Sequence, residues 1–157
     1  MTKKYYIAYG SNLNIKQMRN RCPNAEIFGA GELDGYELLF KGSKTGAYLT
    51  IEKKEGSKVP FGVWKVDALD EKSLDRYEGY PSFYYKTEMQ VKVRKFRDDA
   101  EVTVNAFVYI MHEDRKIAVP DRYYTNICAE GYEDFNFNFK ALDVAFLKSL
   151  EVCKHGN

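Results

Sequence analysis

The first part of the chain alternates between apolar and polar positions in short stretches that are typical of strands. Residues 4–9 form an apolar run that predicts a first strand. Residues 25–30 and 33–40 also have an extended character, and glycines at 29, 31 and 35 interrupt them. Residues 47–53 alternate with a period of two, which predicts a half-buried strand, and a turn at 55–57 leads to a further strand over 59–66.

The middle of the chain predicts a helix followed by a hairpin. Asp67 is a good helix N-cap, and Gly79 suits the position just after a helix that ends near Glu78. The apolar spacing places Leu69, Leu74 and Tyr77 on the inner face of this helix. Residues 83–96 again alternate with a period of two, and a turn at 97–99 leads to residues 102–111, so these two segments predict an antiparallel hairpin.

Three more helices are predicted outside this region. Asn14 can cap a short helix that runs to about residue 20, and residues 123–130 form a short helix before Gly131. Residues 140–152 are amphipathic, with Leu142, Phe146 and Leu150 on one face, and residues 112–121 form a polar loop. Strands outnumber helices and do not alternate regularly with them, so the fold class is α+β, in one domain over residues 1–157. Antiparallel strands in this number often curl into a barrel whose mouth can hold a ligand.

The charge balance and hydropathy exclude several classes of protein. The 24 Lys and Arg residues nearly balance the 23 Asp and Glu residues, which leaves a net charge of +1. A nucleic-acid-binding surface normally gives a basic excess, so no nucleic-acid partner is expected. No stretch approaches the roughly 18–20 apolar residues of a membrane span, so no membrane partner is expected either. The 13 Tyr, 10 Phe and one Trp favour strands and a pocket walled by aromatic rings.

Cysteine and histidine content narrows the chemistry further. Three cysteines, far apart and odd in number, favour a reduced, cytoplasmic protein. The two histidines, His112 and His155, offer no zinc-binding spacing and little basis for a histidine-dependent triad, so neither a zinc site nor such a triad is expected. Cys128 could be a nucleophile, but its apolar setting favours an inert core thiol.

A first segment that can carry chemistry is Tyr9-Gly10-Ser11-Asn12-Leu13, between the first strand and the first helix. Gly10 permits a close backbone approach, and Ser11 and Asn12 add side-chain donors. Successive N–H groups that lead into a helix can hold an anion or a developing oxyanion. The alternative is an ordinary turn in which Ser11 and Asn12 only cap the helix.

A second segment places a glutamate where its acidity would be weakened. Glu78 lies in the last turn of its helix, where the negative end of the helix dipole disfavours a second negative charge, and nearby tyrosines could remove it from water. Both effects raise the pKa of a carboxyl group toward neutrality, as a general acid and base requires. The alternative is a solvated glutamate at a helix end. In a third segment, residues 123–131, a tyrosine could close the same site, or could simply pack in the core.

Together these segments resemble the γ-glutamylcyclotransferase family, within the γ-glutamylcyclotransferase-like, AIG2-like superfamily. Tyr-Gly-Ser-Asn-Leu at 9–13 is similar to the family's substrate-binding loop, and Leu-Asp-x-x-Glu-Gly at 74–79 is similar to the segment with its catalytic glutamate, here Glu78. Arg21-x-Pro23, Gly62-Val63-x-Lys65 and the spacing from Tyr124 to Gly131 extend the resemblance, which covers about residues 4–131.

The resemblance implies a small mixed, mainly antiparallel β-barrel with surrounding helices, a pocket at one mouth and no metal or organic cofactor. The reaction it implies is an intramolecular acyl transfer, a lyase-type cyclisation that converts a γ-glutamyl amide to 5-oxoproline and a free amine. Glu78 would be the catalytic acid and base. The substrate would be bound by Tyr9, Gly10, Ser11, Asn12, Leu13 and Tyr124.

The C-terminal part departs from the family's pattern, because animal members have Gly-Leu-Pro where this chain has Asn136-Phe137-Asn138. If the aromatic segment at 132–139 borders the pocket, the leaving amine differs, so the glutamyl half of the substrate is better defined than the amine half. Two other hypotheses stay open: a non-catalytic small-molecule-binding module, and an interaction protein that uses the aromatic C-terminal surface. The protein is expected to be a monomer or a homodimer.

Overall fold

The computed structural model describes residues 2–43 and 45–155, and five of its strands close into a barrel. These strands are β1 (Lys4–Ala8), β2 (Glu26–Ser43), β3 (Gly46–Val66), β4 (Tyr84–Lys95) and β5 (Glu101–Met111). Their order is β3-β1-β5-β4-β2, and the pairing of β2 with β3 closes the ring. The neighbours are antiparallel except β1 and β5, which are parallel. The predicted small mixed, mainly antiparallel barrel is therefore confirmed.

Strands β2 and β3 are each a single long strand, where the sequence predicted two segments apiece. The glycines at 29 and 31 do not interrupt β2. They let it cross β4 closely, and a Cβ atom on Gly29 would lie 2.4 Å from the carbonyl oxygen of Arg94. The predicted turn at 55–57 does not divide β3 into two strands, because β3 pairs with β2 on both sides of it, although the register shifts there between Lys53 and Lys58. The chain bends there instead, at Gly35 and Gly56, whose φ angles are +80° and +85°.

Helix α2 (Ala68–Glu78) has the bounds that its sequence predicts. The Asp67 carboxylate accepts a hydrogen bond of 2.8 Å from the Asp70 N–H, and Gly79 ends the helix in the left-handed conformation with φ of +65°. Leu74 is fully buried beneath the helix. The prediction for Leu69 is wrong: this residue is 63% exposed, because it lies on the outer face of a first turn whose inner face is occupied by the buried Asp70.

Three further helices surround the barrel: α1 (Ile15–Arg21), α3 (Arg122–Asp134) and α4 (Lys140–His155). Asn14 caps α1 as predicted, by accepting a hydrogen bond from the Gln17 N–H. Helix α3 does not end before Gly131 but continues through it. A Cβ atom there would lie 2.7 Å from the Asn14 nitrogen and 2.8 Å from the Leu13 carbonyl carbon, so glycine lets α3 press against the backbone that follows β1.

Strands β4 and β5 form the predicted hairpin, paired from Tyr84 with Met111 to Arg94 with Glu101. The polar loop after β5 contains a short strand, β6 (Lys116–Ile117), which pairs with the C-terminal end of β2 at Lys41 and Gly42. In the described part of the chain, every helix is too short or too polar to cross a membrane. The barrel thus leaves one mouth bordered by the end of β1, the end of α2 and the start of α3.

Candidate active site

A cavity of about 310 Å³ opens at this mouth of the barrel. Its walls bring together five of the six residues predicted to bind substrate, together with the predicted acid and base. These residues are Tyr9, Gly10, Ser11, Asn12, Tyr124 and Glu78. They come from three separated segments of the chain. The volume is in the range of ordinary small-molecule sites.

The segment after β1 forms one tight 3₁₀ turn over Ser11–Leu13. The Leu13 N–H donates a hydrogen bond of 3.0 Å to the Gly10 carbonyl. The structure corrects the hypothesis for Leu13, whose side chain is fully buried and faces α3 at Gly131 instead of the cavity. The N–H groups of Ser11 and Asn12 have no acceptor within residues 2–43 and 45–155, so they are available to a ligand.

Asn12 is the hydrogen-bonding centre of the site. Its Nδ2 atom donates to the Tyr6 hydroxyl at 2.8 Å and lies 3.3 Å from Oε1 of Glu78. Its backbone carbonyl accepts a hydrogen bond of 2.9 Å from the indole N–H of Trp64, and its Oδ1 atom accepts one from the Arg21 guanidinium. Because Arg21 can only donate, the carboxamide must present its oxygen to Arg21 and its NH₂ group to Glu78.

The Glu78 carboxyl group is a weak acid in this environment. Its removal from water raises its pKa to about 8, and the positive charge of Arg21 opposes that rise without cancelling it. Glu78 as a residue is only half-buried, because solvent enters the cavity, but protein atoms surround the carboxyl group itself. At neutral pH such a group can exist in either protonation state, which suits transfer of a proton in both directions.

The hydroxyls of several cavity tyrosines are held by the protein. Tyr9 donates to the Tyr109 carbonyl at 2.7 Å, and Tyr84 donates to the Leu49 carbonyl at the same distance. The Tyr124 hydroxyl accepts a hydrogen bond of 3.0 Å from the Leu49 N–H. Tyr9 and Tyr84 therefore contribute their rings to the cavity walls, and their hydroxyl protons are already used inside the fold.

A charged cluster fixes both halves of α2 to the barrel. The Lys86 ammonium lies 2.8 Å from the Glu71 carboxylate and 2.9 Å from that of Asp75. Asp75 also accepts a hydrogen bond of 2.6 Å from the Tyr109 hydroxyl. Asp75 precedes Glu78 by about one helical turn, so these contacts set the height and rotation of the helix end that carries Glu78.

Sequence reasoning did not identify Tyr6 as a site residue and matched Arg21 only as part of a motif. Tyr6 lies in β1, where an apolar and aromatic run predicts only a strand. Arg21 stacks on the Tyr77 ring, with its guanidinium carbon 3.4 Å from the ring centroid. The sequence predicts a cavity rich in aromatic rings, but the choice of rings depends on which strands become neighbours in the closed barrel.

Other groups that could take part in chemistry lie away from the cavity or are unreactive. Burial raises the pKa of the Cys128 thiol to about 12, so it stays protonated, and it does not line the cavity. In the two described ranges, no group of His, Cys, Asp and Glu side chains could hold a metal ion. The aromatic segment at 132–139 does not border the cavity either, and its Phe135 ring packs against Gly62 and Trp64 on the barrel.

Comparison with known proteins gives matches over most of the chain. A family model described as gamma-glutamyl cyclotransferase, AIG2-like, matches residues 6–126. Gamma-glutamylcyclotransferase from Homo sapiens is 32% identical over 136 residues, which cover 82% of this chain and 70% of that protein. The Bos taurus protein of the same name is 31% identical over 116 residues, 69% of this chain and 60% of that protein.

Solved structures with a similar fold belong to the same group of proteins. A solved structure of a protein named gamma-glutamyl cyclotransferase superposes with a TM-score of 0.73 and 28% sequence identity. The superposition covers 91% of this chain and 86% of that one. The family match spans the loop after β1, all of α2 and the start of α3, which are the segments that build the cavity. The chain therefore belongs to the gamma-glutamyl cyclotransferase, AIG2-like family.

Proposed function

We propose that this protein is an enzyme that cyclises γ-glutamyl amides to 5-oxoproline and releases the free amine. The observation that carries the proposal is the Glu78 carboxyl group, which has a pKa of about 8 and faces the loop after β1 inside a cavity. The substrate contains its own nucleophile, the α-amine, so the protein needs a base, an oriented pocket and donors for a developing negative charge.

In the proposed reaction, Glu78 takes a proton from the α-amine while the nitrogen attacks the γ-carbonyl carbon. The C–N bond of the ring forms, and the electron pair of the C=O bond moves to the oxygen. The carbonyl then re-forms, the bond to the leaving nitrogen breaks, and Glu78 returns the proton to that nitrogen. The same carboxyl group thus acts as base and then as acid, without net change.

The walls of the cavity supply the remaining functions in this proposal. The N–H groups of Ser11 and Asn12, which have no acceptor among the described residues, bind the α-carboxylate of the glutamyl group. Tyr9 and Tyr124 line the space for the glutamyl chain, and Gly10 keeps the backbone close to it. A curled glutamyl chain brings amine and carbonyl together, which removes much of the entropic barrier to ring closure.

The alternative is a small-molecule-binding module on the same barrel that does not turn its ligand over. A binding site gains nothing from a carboxyl group whose pKa is raised to about 8, because a buried ionisable group lowers the stability of the fold. A cyclase needs such a group. The raised pKa of Glu78 therefore favours the enzyme.

We also propose that the chain is one domain and works in the reducing cytoplasm as a monomer or homodimer. Cys22 and Cys128 are free, buried thiols. Burial raises the pKa of the Cys22 and Cys128 thiols to about 12, so neither reacts readily as a thiolate.

The test is the release of 5-oxoproline by the purified protein from a panel of γ-glutamyl amino acids, γ-glutamylamines and glutathione. We expect release from at least one class, and abolition of that release by Glu78→Gln at equal folded protein concentration. If compounds of the panel bind, as measured by calorimetry, but none is converted, the binding module replaces the enzyme as the better description.

A further inference from the structure

We propose that Tyr6 is a further catalytic residue, whose hydroxyl donates a hydrogen bond to the γ-carbonyl oxygen as that oxygen becomes negatively charged. The inference rests on the proposed cyclisation and adds to it a donor that sequence reasoning did not identify. It follows from the hydrogen bonds that the tyrosine hydroxyls of the cavity make.

Tyr6 is held firmly at the bottom of the cavity. Its side chain points from β1 to the cavity and is 3% exposed, and its ring stacks on that of Phe107 with 5.2 Å between centroids. A hydroxyl on a rigid ring of this kind keeps its position when a ligand enters. Such preorganisation is what makes a donor effective toward a charge that develops during reaction.

The Tyr6 hydroxyl accepts a hydrogen bond and keeps its own proton free. Arg21 donates to Oδ1 of Asn12, which turns Nδ2 toward Tyr6, so at this 2.8 Å contact the nitrogen is the donor and the tyrosine oxygen the acceptor. In the described parts of the chain, no atom accepts the Tyr6 hydroxyl proton. A donor this deeply buried without an acceptor is costly, and a substrate oxygen in the cavity would satisfy it.

Other cavity tyrosines are bonded differently. Tyr9 and Tyr84 donate to backbone carbonyls, and Tyr109 donates to the Asp75 carboxylate. Tyr77 shares its hydrogen bond of 2.9 Å with Ser11 near the rim of the cavity. The Tyr124 hydroxyl also accepts a hydrogen bond, but from the Leu49 N–H of β3. Among these tyrosines, Tyr6 is the one that keeps its proton while it contacts Asn12, the neighbour of Glu78.

Tyr6 and Glu78 also share one neighbour, which places them on the same reacting centre. The Nδ2 atom of Asn12 lies 2.8 Å from the Tyr6 oxygen and 3.3 Å from Oε1 of Glu78. A γ-carbonyl group beside this nitrogen can therefore meet a base on one side and a donor on the other. Burial, and secondarily the charge of Glu78, raises the pKa of Tyr6 well above its usual value, so its hydroxyl stays protonated while the base works.

In the first half of the reaction, the electron pair of the γ-carbonyl moves to its oxygen, and the Tyr6 hydrogen bond strengthens as negative charge accumulates there. The amine proton goes to Glu78, not to Tyr6. In the second half, the pair returns to the carbonyl, the leaving nitrogen takes the proton from Glu78, and the Tyr6 hydrogen bond weakens again. Tyr6 transfers no proton in either half.

The test compares Tyr6→Phe with wild type, using 5-oxoproline release from a substrate that the wild type converts. We expect kcat to fall by about 100- to 1000-fold with little change in KM, because the lost interaction is strongest in the transition state. The matched control is Tyr132→Phe, which removes another buried hydroxyl, one that has no partner in the described ranges and does not line the cavity. It should leave kcat unchanged.

Each result separates this inference from the proposed function. If wild type converts the substrate and Tyr6→Phe retains a kcat within about threefold, Tyr6 is not the donor, although the cyclase activity stands. If both tyrosine variants lose activity in parallel with their melting temperatures, Tyr6 has a packing role only. If wild type releases no 5-oxoproline from any compound of the panel, the cyclase function and the role of Tyr6 are both overturned.

Discussion

Arg21 donates a hydrogen bond to the Oδ1 atom of Asn12, and this one contact decides which face of the carboxamide meets Glu78. The two ends of an asparagine side chain have nearly the same shape, so packing alone cannot choose between them. A guanidinium group has donors only and removes the ambiguity. The placement of a hydrogen-bond donor next to Glu78 thus depends on Arg21, a residue of α1 that does not line the cavity.

Replacement of Glu78 by Gln should lower kcat by at least about 100-fold, since general acid–base catalysis typically contributes that much or more. Glutamine keeps the shape of the side chain and its contact with Asn12 but cannot carry a proton. The measurement is 5-oxoproline release by the purified variant. Glu130→Gln, at an exposed position of α3, is the matched control and should retain full activity. Equal rates for Glu78→Gln and wild type would remove Glu78 from the mechanism.

The rate should rise with pH through the range around pH 8. Only the deprotonated Glu78 carboxylate can accept the amine proton, and its pKa is raised to about 8. We expect kcat to fall about tenfold for each pH unit well below that value, as for any reaction that needs one deprotonated group. Initial rates at saturating substrate between pH 5 and 9.5 would show this. A flat profile from pH 5 to 8 would contradict the assignment of the base.

The same pKa predicts a pH-dependent stability difference between wild type and Glu78→Gln. A carboxyl group whose pKa is raised on folding binds its proton more tightly in the folded state, so it carries no penalty below its unfolded pKa of 4.5. The penalty grows as the pH rises from there to about 8. The variant should therefore gain stability over wild type across this interval, by about 2 kcal/mol or more at pH 8.

Chemical denaturation of both proteins at pH 4.5 and pH 8 measures this difference in the free energy of unfolding. We expect nearly equal stabilities at the lower pH and a more stable variant at the higher one. A variant that is less stable than wild type at pH 8 would mean that ionised Glu78 stabilises the fold, contrary to the effect of its burial.

Replacement of Arg21 by Gln should shift the acid limb of the pH–rate profile to higher pH. Arg21 is the charged group that lowers the pKa of Glu78, and a positive charge near a carboxylate is typically worth about one pKa unit or more. The tyrosines around Glu78 remain neutral because burial raises the pKa of each of them, as it does for Tyr6, Tyr9, Tyr77, Tyr84, Tyr109 and Tyr124. Within the described residues, no other charge lowers the pKa of Glu78 as Arg21 does.

Arg19→Gln is the matched control, because Arg19 is an exposed arginine on the same helix. It should leave the pH profile in place. Arg21→Lys separates charge from geometry: it keeps the charge, so the acid limb should stay near its wild-type position, but one ammonium group cannot both stack on Tyr77 and orient Asn12, so kcat should still fall. A profile that does not move in Arg21→Gln would contradict the electrostatic role.

Replacement of Gly131 by Ala should damage both the fold and the site. The added Cβ would lie 2.7 Å from the Asn14 nitrogen and 2.8 Å from the Leu13 carbonyl carbon, and backbone atoms cannot give way as a flexible side chain would. We expect a loss of about 1–3 kcal/mol in the free energy of unfolding and a lower kcat, because the displaced backbone carries the substrate-binding turn. Glu130→Ala, at the exposed neighbouring position, should have little effect on either quantity.

Features that the sequence predicts well are those encoded by neighbouring residues. Helix α2 begins at its Asp67 cap and ends at Gly79, and the β4–β5 hairpin follows from its alternation. Features decided by distant contacts were predicted less well. The glycines at 29 and 31 predicted strand breaks, but the structure shows that they allow β2 to cross close to β4. Likewise, position 131 inside α3 requires glycine because the helix contacts the turn after β1 there.

The candidate site shows the same division. Glu78 and the Tyr9–Asn12 segment stand out because each combines unusual residues within a few positions. Leu13, in contrast, faces the core, since a 3₁₀ turn directs its third residue away from the cavity. Tyr6 could not be selected from the other tyrosines by sequence. It differs from them in the direction of one hydrogen bond, the one it accepts from Asn12, and that direction is set by Arg21, which is 15 positions away in the chain.

The parallel pairing of β1 with β5 has a consequence for how the protein assembles. Strands β2 and β3 are joined by a short connection, so their pairs can form progressively from Ser43 and Gly46 outward. The pairing of Tyr6 with Phe107 joins distant parts of the chain and must close a large loop, so it forms slowly. We therefore expect the barrel to close late, and the nascent chain to acquire a working cavity only after β5 has left the ribosome.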